Sequence, residues 1–161
     1  MTGPRYKVPF RRRREGITDY SHRLRLLKSG SPRAVVRCSN RYFTVQFISF
    51  DPSGDRVIAS ANSIELRKYG WSGAASNGAA AFLTGLLAAV RAKKHGVSEA
   101  ILDVGMINPR KNGNMYAALS GMLEGGVEIP HDGSIVVPVA RIEALSAGHG
   151  NISEIKTKLV K

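Results

Sequence analysis

Residues 33–61, RAVVRCSNRYFTVQFISFDPSGDRVIASA, hold three apolar runs separated by two turn signals. Phe43, Val45 and Phe47 alternate with Tyr42, Thr44 and Gln46, the period of a half-buried strand over residues 41–50. Pro32 opens the preceding run, residues 33–40, and a tight turn near Ser39 and Asn40 joins the two antiparallel. Asp51, Pro52, Ser53, Gly54 and Asp55 form the clearest turn in the chain, and residues 56–61 follow as a third strand. The stretch therefore predicts a three-stranded antiparallel meander.

Downstream the period changes to 3.6. Phe82, Leu83, Leu86, Leu87 and Val90 make a stripe within a helix over residues 76–95, with Ala79, Ala80, Gly85 and Ala89 permitting close approach and Gly96 ending it. Arg91, Lys93, Lys94 and His95 suit the negative end of that helix, and a phosphate-contact role is the alternative. Residues 99–105 read as a buried strand that the helix leads into by a parallel crossover. A helix over 112–124 ends at Gly125 and Gly126, and residues 127–129 add a short strand. Beyond Pro130 the pattern weakens to a short apolar run at 135–138, a helix over 140–147 and a polar, lysine-bearing tail in the last eleven residues. Upstream, Ile17, Tyr20, Leu24 and Leu27 mark one stripe of a helix over 18–29, capped by Thr18 or Asp19 and ended by Gly30, with Arg23, Arg25 and Lys28 around the remainder. The chain thus divides into a basic arm at 1–16, an α/β domain at 17–130 and a C-terminal extension at 131–161, within one mixed-sheet unit with packed helices.

Length and charge narrow the function. One hundred and sixty-one residues with 43% apolar side chains can bury one core, and a net charge of +12 points to a polyanionic partner. Residues 1–41 carry twelve basic and two acidic side chains, so nearly all the excess lies in the first quarter. A block centred on Arg11, Arg12, Arg13 and Arg14 repels itself and lacks apolar surface, so it is expected to order only against a partner. Tyr6 and Phe10, interleaved with Arg5 and Lys7, supply rings that stack on bases, and Pro4 and Pro9 restrict the backbone. Arginine outnumbers lysine nine to two up to Arg37, and its planar fork binds phosphate and stacks on bases as an ammonium cannot. No spanning helix or secretory signal is read, and a cytosolic location without membrane contact is expected.

Chemistry is sparse. The single Cys38 excludes an internal disulfide and a multi-cysteine zinc site, and it reads as a small buried hydrophobe rather than a nucleophile. The common phosphate-loop, dinucleotide, zinc-protease and hydrolase motifs are absent, so no cofactor and no resident metal are expected. The enzyme alternative is a metal-dependent nuclease drawing on Asp51, Asp55, Glu65 and Asp103. Turn geometry accounts for Asp51 and Asp55, and a helix surface for Glu65. Asp103, inside an apolar strand, is open to a metal role or to capping, an edge position or pairing with a cation. Trp71, beside Lys68, Tyr69 and Gly70, either plugs the domain edge or stacks on a nucleotide.

Residues 6–16 (YKVPFRRRREG), then Thr18, Asp19, Tyr20, Arg23, Leu24, Leu26 and Leu27, form an ordered set that resembles the large ribosomal subunit protein eighteen family in its archaeal and eukaryotic form. Arg37, Ser39, Asn40, Arg41, the run Lys68 to Trp71, residues 83–87 and residues 102–105 extend the resemblance to Pro130. It implies a ribonuclease H-like core without catalytic activity. It also implies a structural role in the central protuberance, attaching 5S rRNA to large-subunit rRNA beside another 5S-rRNA-binding protein. On that basis Arg5 to Arg14, Thr18, Asp19 and Tyr20 would lie along RNA, Arg23, Arg25 and Lys28 would extend the contact, and Arg37, Ser39, Asn40 and Arg41 would meet RNA from the sheet. Lys68, Tyr69 and Trp71 complete the expected surface.

Overall fold

The structure, a computed structural model, describes residues 3–146 and 151–160. Strands β1 (Arg33–Cys38), β2 (Phe43–Ser49) and β3 (Arg56–Asn62) form the antiparallel meander, and β4 (Ile101–Asp103) pairs parallel with β1, giving the order β3-β2-β1-β4. The register sets Val36 opposite Val45 and Phe47 opposite Ala59, which puts Ala34, Val36, Phe43, Val45, Phe47, Ala59 and Ala61 on one buried face. A bulge after Phe47 shifts the β2–β3 pairing where β3 begins.

Helix α3 (Gly78–Lys94) connects β3 to β4 and lies on that face. Asn77 caps it by accepting from the Ala80 amide at 2.7 Å. Thirteen of its seventeen residues are buried, because three more helices cover the sides that the sheet leaves open: α4 (Asn114–Glu124), α5 (Val139–Ser146) and α6 (Ile152–Val160). The crossing with α4 depends on two glycines. A Cβ on Gly85 would overlap the Ala118 carbonyl, and one on Gly121 would overlap the Phe82 carbonyl. At the sheet margin, Arg91 of α3 donates to the Ser60 carbonyl of β3 at 2.6 Å and pairs with Glu65 at 2.6 Å. The basic end of α3 thus spends its arginine on the edge strand.

Several expectations need correction. The polar tail is instead α6, whose Ile152, Ile155 and Leu159 enter the core while Lys156 lies 4.7 Å above the Phe82 ring and pairs with Glu124 at 2.8 Å. Lysine-rich composition hid a stripe at spacings of three and four. The predicted strand at 99–105 contracts to three residues, and residues 127–129 contribute only an isolated bridge, Glu99 to Glu128. Cys38 is exposed because burial along β1 ends at Val36, two residues before the strand does; partial burial still pushes its thiol pKa up. Residue 147 of the helix expected at 140–147 falls outside the described residues, as do residues 1, 2, 148–150 and 161.

The Gly85 contact gives opposed forces a sign. Alanine is the better helix former by about 1 kcal/mol, but here the added methyl must push α3 from α4, a strain of about 1–3 kcal/mol. Gly85→Ala is expected to lower the urea midpoint of unfolding; a raised midpoint would show that the helices move apart freely.

Candidate nucleic-acid interface

Within the basic arm residues Arg11–Arg14 close one helical turn, α1, which buries none of its residues. The amides of Arg13 and Arg14 donate to the Phe10 carbonyl, Arg12 Nε donates to Thr18 Oγ1 at 3.0 Å, and Arg11 lies 3.8 Å from Glu15. Short-range hydrogen bonds suffice for one turn because the arginine heads fan outward into water. Phe10 packs on Tyr20 with ring centroids 5.6 Å apart, which fixes the arm against α2 (Tyr20–Leu27).

Helix α2 starts at Asp19, whose carboxylate accepts from the amides of Ser21 and His22. The His22 amide is the main reason its pKa lies below the usual range. The apolar stripe of α2 is not seated on the core. Ile17 and Leu24 are 51% and 57% exposed, no α2 residue is buried, and only His22, Arg23, Leu26 and Leu27 are partly covered. What ties α2 to the sheet is charge. Arg23 pairs with Asp55 at 2.7 Å, Asp55 with Arg33 at 2.5 Å, Arg33 with Asp103 at 2.8 Å, and Asp103 with Arg37 at 3.2 Å.

This chain of ions runs from α2 over the sheet face opposite α3. Arg33 is 3% and Asp103 5% exposed, and Arg33 Nε is buried without a hydrogen-bond partner. Burial opposes ionisation of Asp103, but the Arg37 charge, the Arg33 hydrogen bond and the Gly105 amide outweigh it and hold the carboxyl below its ordinary range. Asp103 is therefore paired with cations, one of the roles open to it from the sequence. Among the described residues no group of three His, Cys, Asp or Glu is gathered to hold a metal.

The remaining expected contacts divide. Arg5, Tyr6, Lys7, Phe10, the four consecutive arginines, Arg25, Lys28, Asn40, Arg41 and Lys68 are exposed. Asp19 and Ser39 are exposed but occupied. Asp19 caps α2, and the Ser39 hydroxyl accepts from the amides of Arg41 and Tyr42 and donates to the Tyr42 carbonyl, so both shape turns. Arg37 donates to the carbonyls of Val36 and Asp103, each at 2.9 Å, and to Asp103 Oδ1 at 3.2 Å. Trp71 is overturned as a stacking platform. It is 2% exposed in the core, with its indole N–H directed at the Ala74 carbonyl at 3.4 Å, and Tyr69 is half-buried against the same cluster. Sequence reading also missed Arg33 and Asp55 as partners. The strand parity that puts Arg33 and Arg37 on one face of β1, opposite the face of Ala34 and Val36, is the signal that was available.

Comparison with known proteins bears on this surface. Residues 4–96 match the family described as ribosomal large subunit proteins 60S L5 and 50S L18. The chain is 58% identical over 138 residues to large ribosomal subunit protein uL18 of Korarchaeum cryptofilum, covering 86% of this chain and 71% of that protein. It is 56% identical over 135 residues to the Aeropyrum pernix protein of the same name (83% and 63% covered) and 49% identical over 135 to that of Haloarcula marismortui (84% and 72% covered). The Aeropyrum pernix protein is matched over less than two thirds of its length.

Replacing Asp103 by Asn leaves Arg33 buried with Asp55 alone, and a loss of about 3 kcal/mol is expected. Because the folded carboxyl titrates below its unfolded value, its contribution is complete above that value and fades as pH falls through the folded one. Denaturant unfolding of wild type and Asp103→Asn should therefore differ most near neutrality and converge below about pH 4. A gap independent of pH would remove the carboxylate from the account.

Proposed function

The chain belongs to the family of ribosomal large subunit proteins 60S L5 and 50S L18, and from that premise we propose that it binds 5S rRNA and fastens it to large-subunit rRNA in the central protuberance. Membership makes it a structural constituent of the large subunit rather than an enzyme. One observation supports the RNA reading above the others: the arm, with six basic side chains against one acidic, is exposed, and its rings and forks are not spent on the core. Arg5, Lys7, Arg11, Arg13 and Arg14 grip phosphates, and Tyr6 and Phe10 add stacking. Arg25 and Lys28 extend the track along α2, and Asn40 and Arg41 approach from the turn between β1 and β2. Thr18, Asp19 and Ser39 act by shaping the backbone beside these groups. Arg12, Tyr20, Arg23 and Arg37 both hold the surface together and border the RNA; the exposed Lys68 is an outlying contact, and Tyr69 is half-buried against the core. The order β3-β2-β1-β4, antiparallel then parallel, supports the ribonuclease H-like core that the resemblance implied. A second 5S-rRNA-binding protein is the expected neighbour.

Binding to 5S rRNA and to an equally long, equally folded competitor across a salt series tests the proposal. A preference of about 4 kcal/mol or more is expected, and equal binding would overturn 5S selectivity. Deleting residues 1–14 removes six basic side chains, so the slope of log affinity on log salt should shrink by about four while the core still folds. An unchanged slope would show that the arm does not bind phosphate.

A further inference from the structure

Between α2 and the loop after β4 lies a cleft of about 280 Å³. Its walls mix charged and apolar side chains, and several of the apolar ones stand exposed to solvent. Met106 and Ile107 are 55% and 44% exposed on the loop side, and Ile17 with the half-buried Leu26 stands on the helix side. Between them is the Arg37 guanidinium, fixed by its three hydrogen bonds and lying on Gly105. A Cβ at Gly105 would come 3.1 Å from the guanidinium carbon, and its φ of +71° also favours glycine, so the close approach is built into the backbone. The Arg37 side chain is still 47% exposed. A planar cation held still by three hydrogen bonds to the protein offers a fixed face for stacking.

The charge balance argues in the same direction. Arg12, Arg23, Arg33 and Arg37 face Asp19, Asp55 and Asp103 around the cleft, so a small free anion gains little there. The volume is at the low end for small-molecule sites and admits one flat ring system. We propose that the cleft takes a single unstacked nucleobase of the bound RNA, laid on the Arg37 guanidinium between Met106 and Ile107 on one side and Ile17 and Leu26 on the other. Thr18 and His22 at its rim offer a hydroxyl and an imidazole to the base edge. The inference rests on the RNA-binding reading above and adds to it a base-sized site outside the arm.

The test has two arms, both on the full chain. In methyl-labelled protein, titration with each of the four ribonucleoside 5′-monophosphates is expected to shift the methyl signals of Ile17, Leu26, Met106 and Ile107 by ring currents, and ribose 5-phosphate is not. Shifts confined to the arm, or equal shifts with ribose 5-phosphate, would overturn the site. Met106→Trp, on an exposed side chain, fills the cleft and should lower affinity for 5S rRNA about tenfold with an unchanged salt slope. Arg37→Lys, which keeps the charge and loses the plane, should do the same. Wild-type affinity in both variants would also overturn the proposal. If wild-type protein prefers no RNA while nucleotides still shift the four methyls, the 5S reading fails and the cleft stands.

Discussion

A buried arginine at the head of the central strand sets the terms for the surface around it. Arg33 opens β1 at 3% exposure, and a cation there is tolerable only if carboxylates reach it. Asp103 arrives because β4 pairs parallel with β1 in a register that sets Asp103 opposite Val35, one strand over from Arg33. Asp55 arrives from the turn that starts β3. Each carboxylate then holds a second arginine, Arg23 on α2 and Arg37 farther along β1. Sheet register thus dictates where α2 sits, with charge doing what apolar packing does on the other side of the sheet.

That other side is conventional in its physics. Helix α3 is small-residue-rich and buried nearly all round, and α4, α5 and α6 close over it. The two faces of the sheet therefore differ in kind. One is a tightly packed apolar core in which a methyl group on Gly85 is felt; the other is a face where a buried chain of ions ties down α2, a helix with no buried residue of its own. Such a division leaves the exposed apolar and aromatic side chains of the arm free to meet another surface.

The meander, the crossover and both long central helices were legible because each rests on a local period and a local turn, and Asn77, Gly96 and Asp51 mark their limits. Illegible were the features that depend on distant pairing. Nothing near Asp103 in sequence says that Arg33 and Arg37 will neutralise it, and nothing near Trp71 says whether the core will close over it. For α2 the period was right, and the structure adds what a period does not carry: an amphipathic stripe shows that a helix has an apolar side, not that its own domain covers that side. The C-terminal helix failed in the opposite direction, since Lys156 spreads its stem over Phe82 and behaves as part of the core while reading as tail.

The hydrogen bond from Arg91 to the Ser60 carbonyl bears on how two copies of the chain would meet. Strand β3 lies at the margin of the sheet, seven residues long, with Val57 exposed near its start. Such a margin invites a strand from another copy, and a charged side chain laid across one of its acceptors removes a rung from that ladder. Arg91, at the end of α3, thus sets a positive charge on the edge strand at the place where a strand of a neighbouring copy would pair.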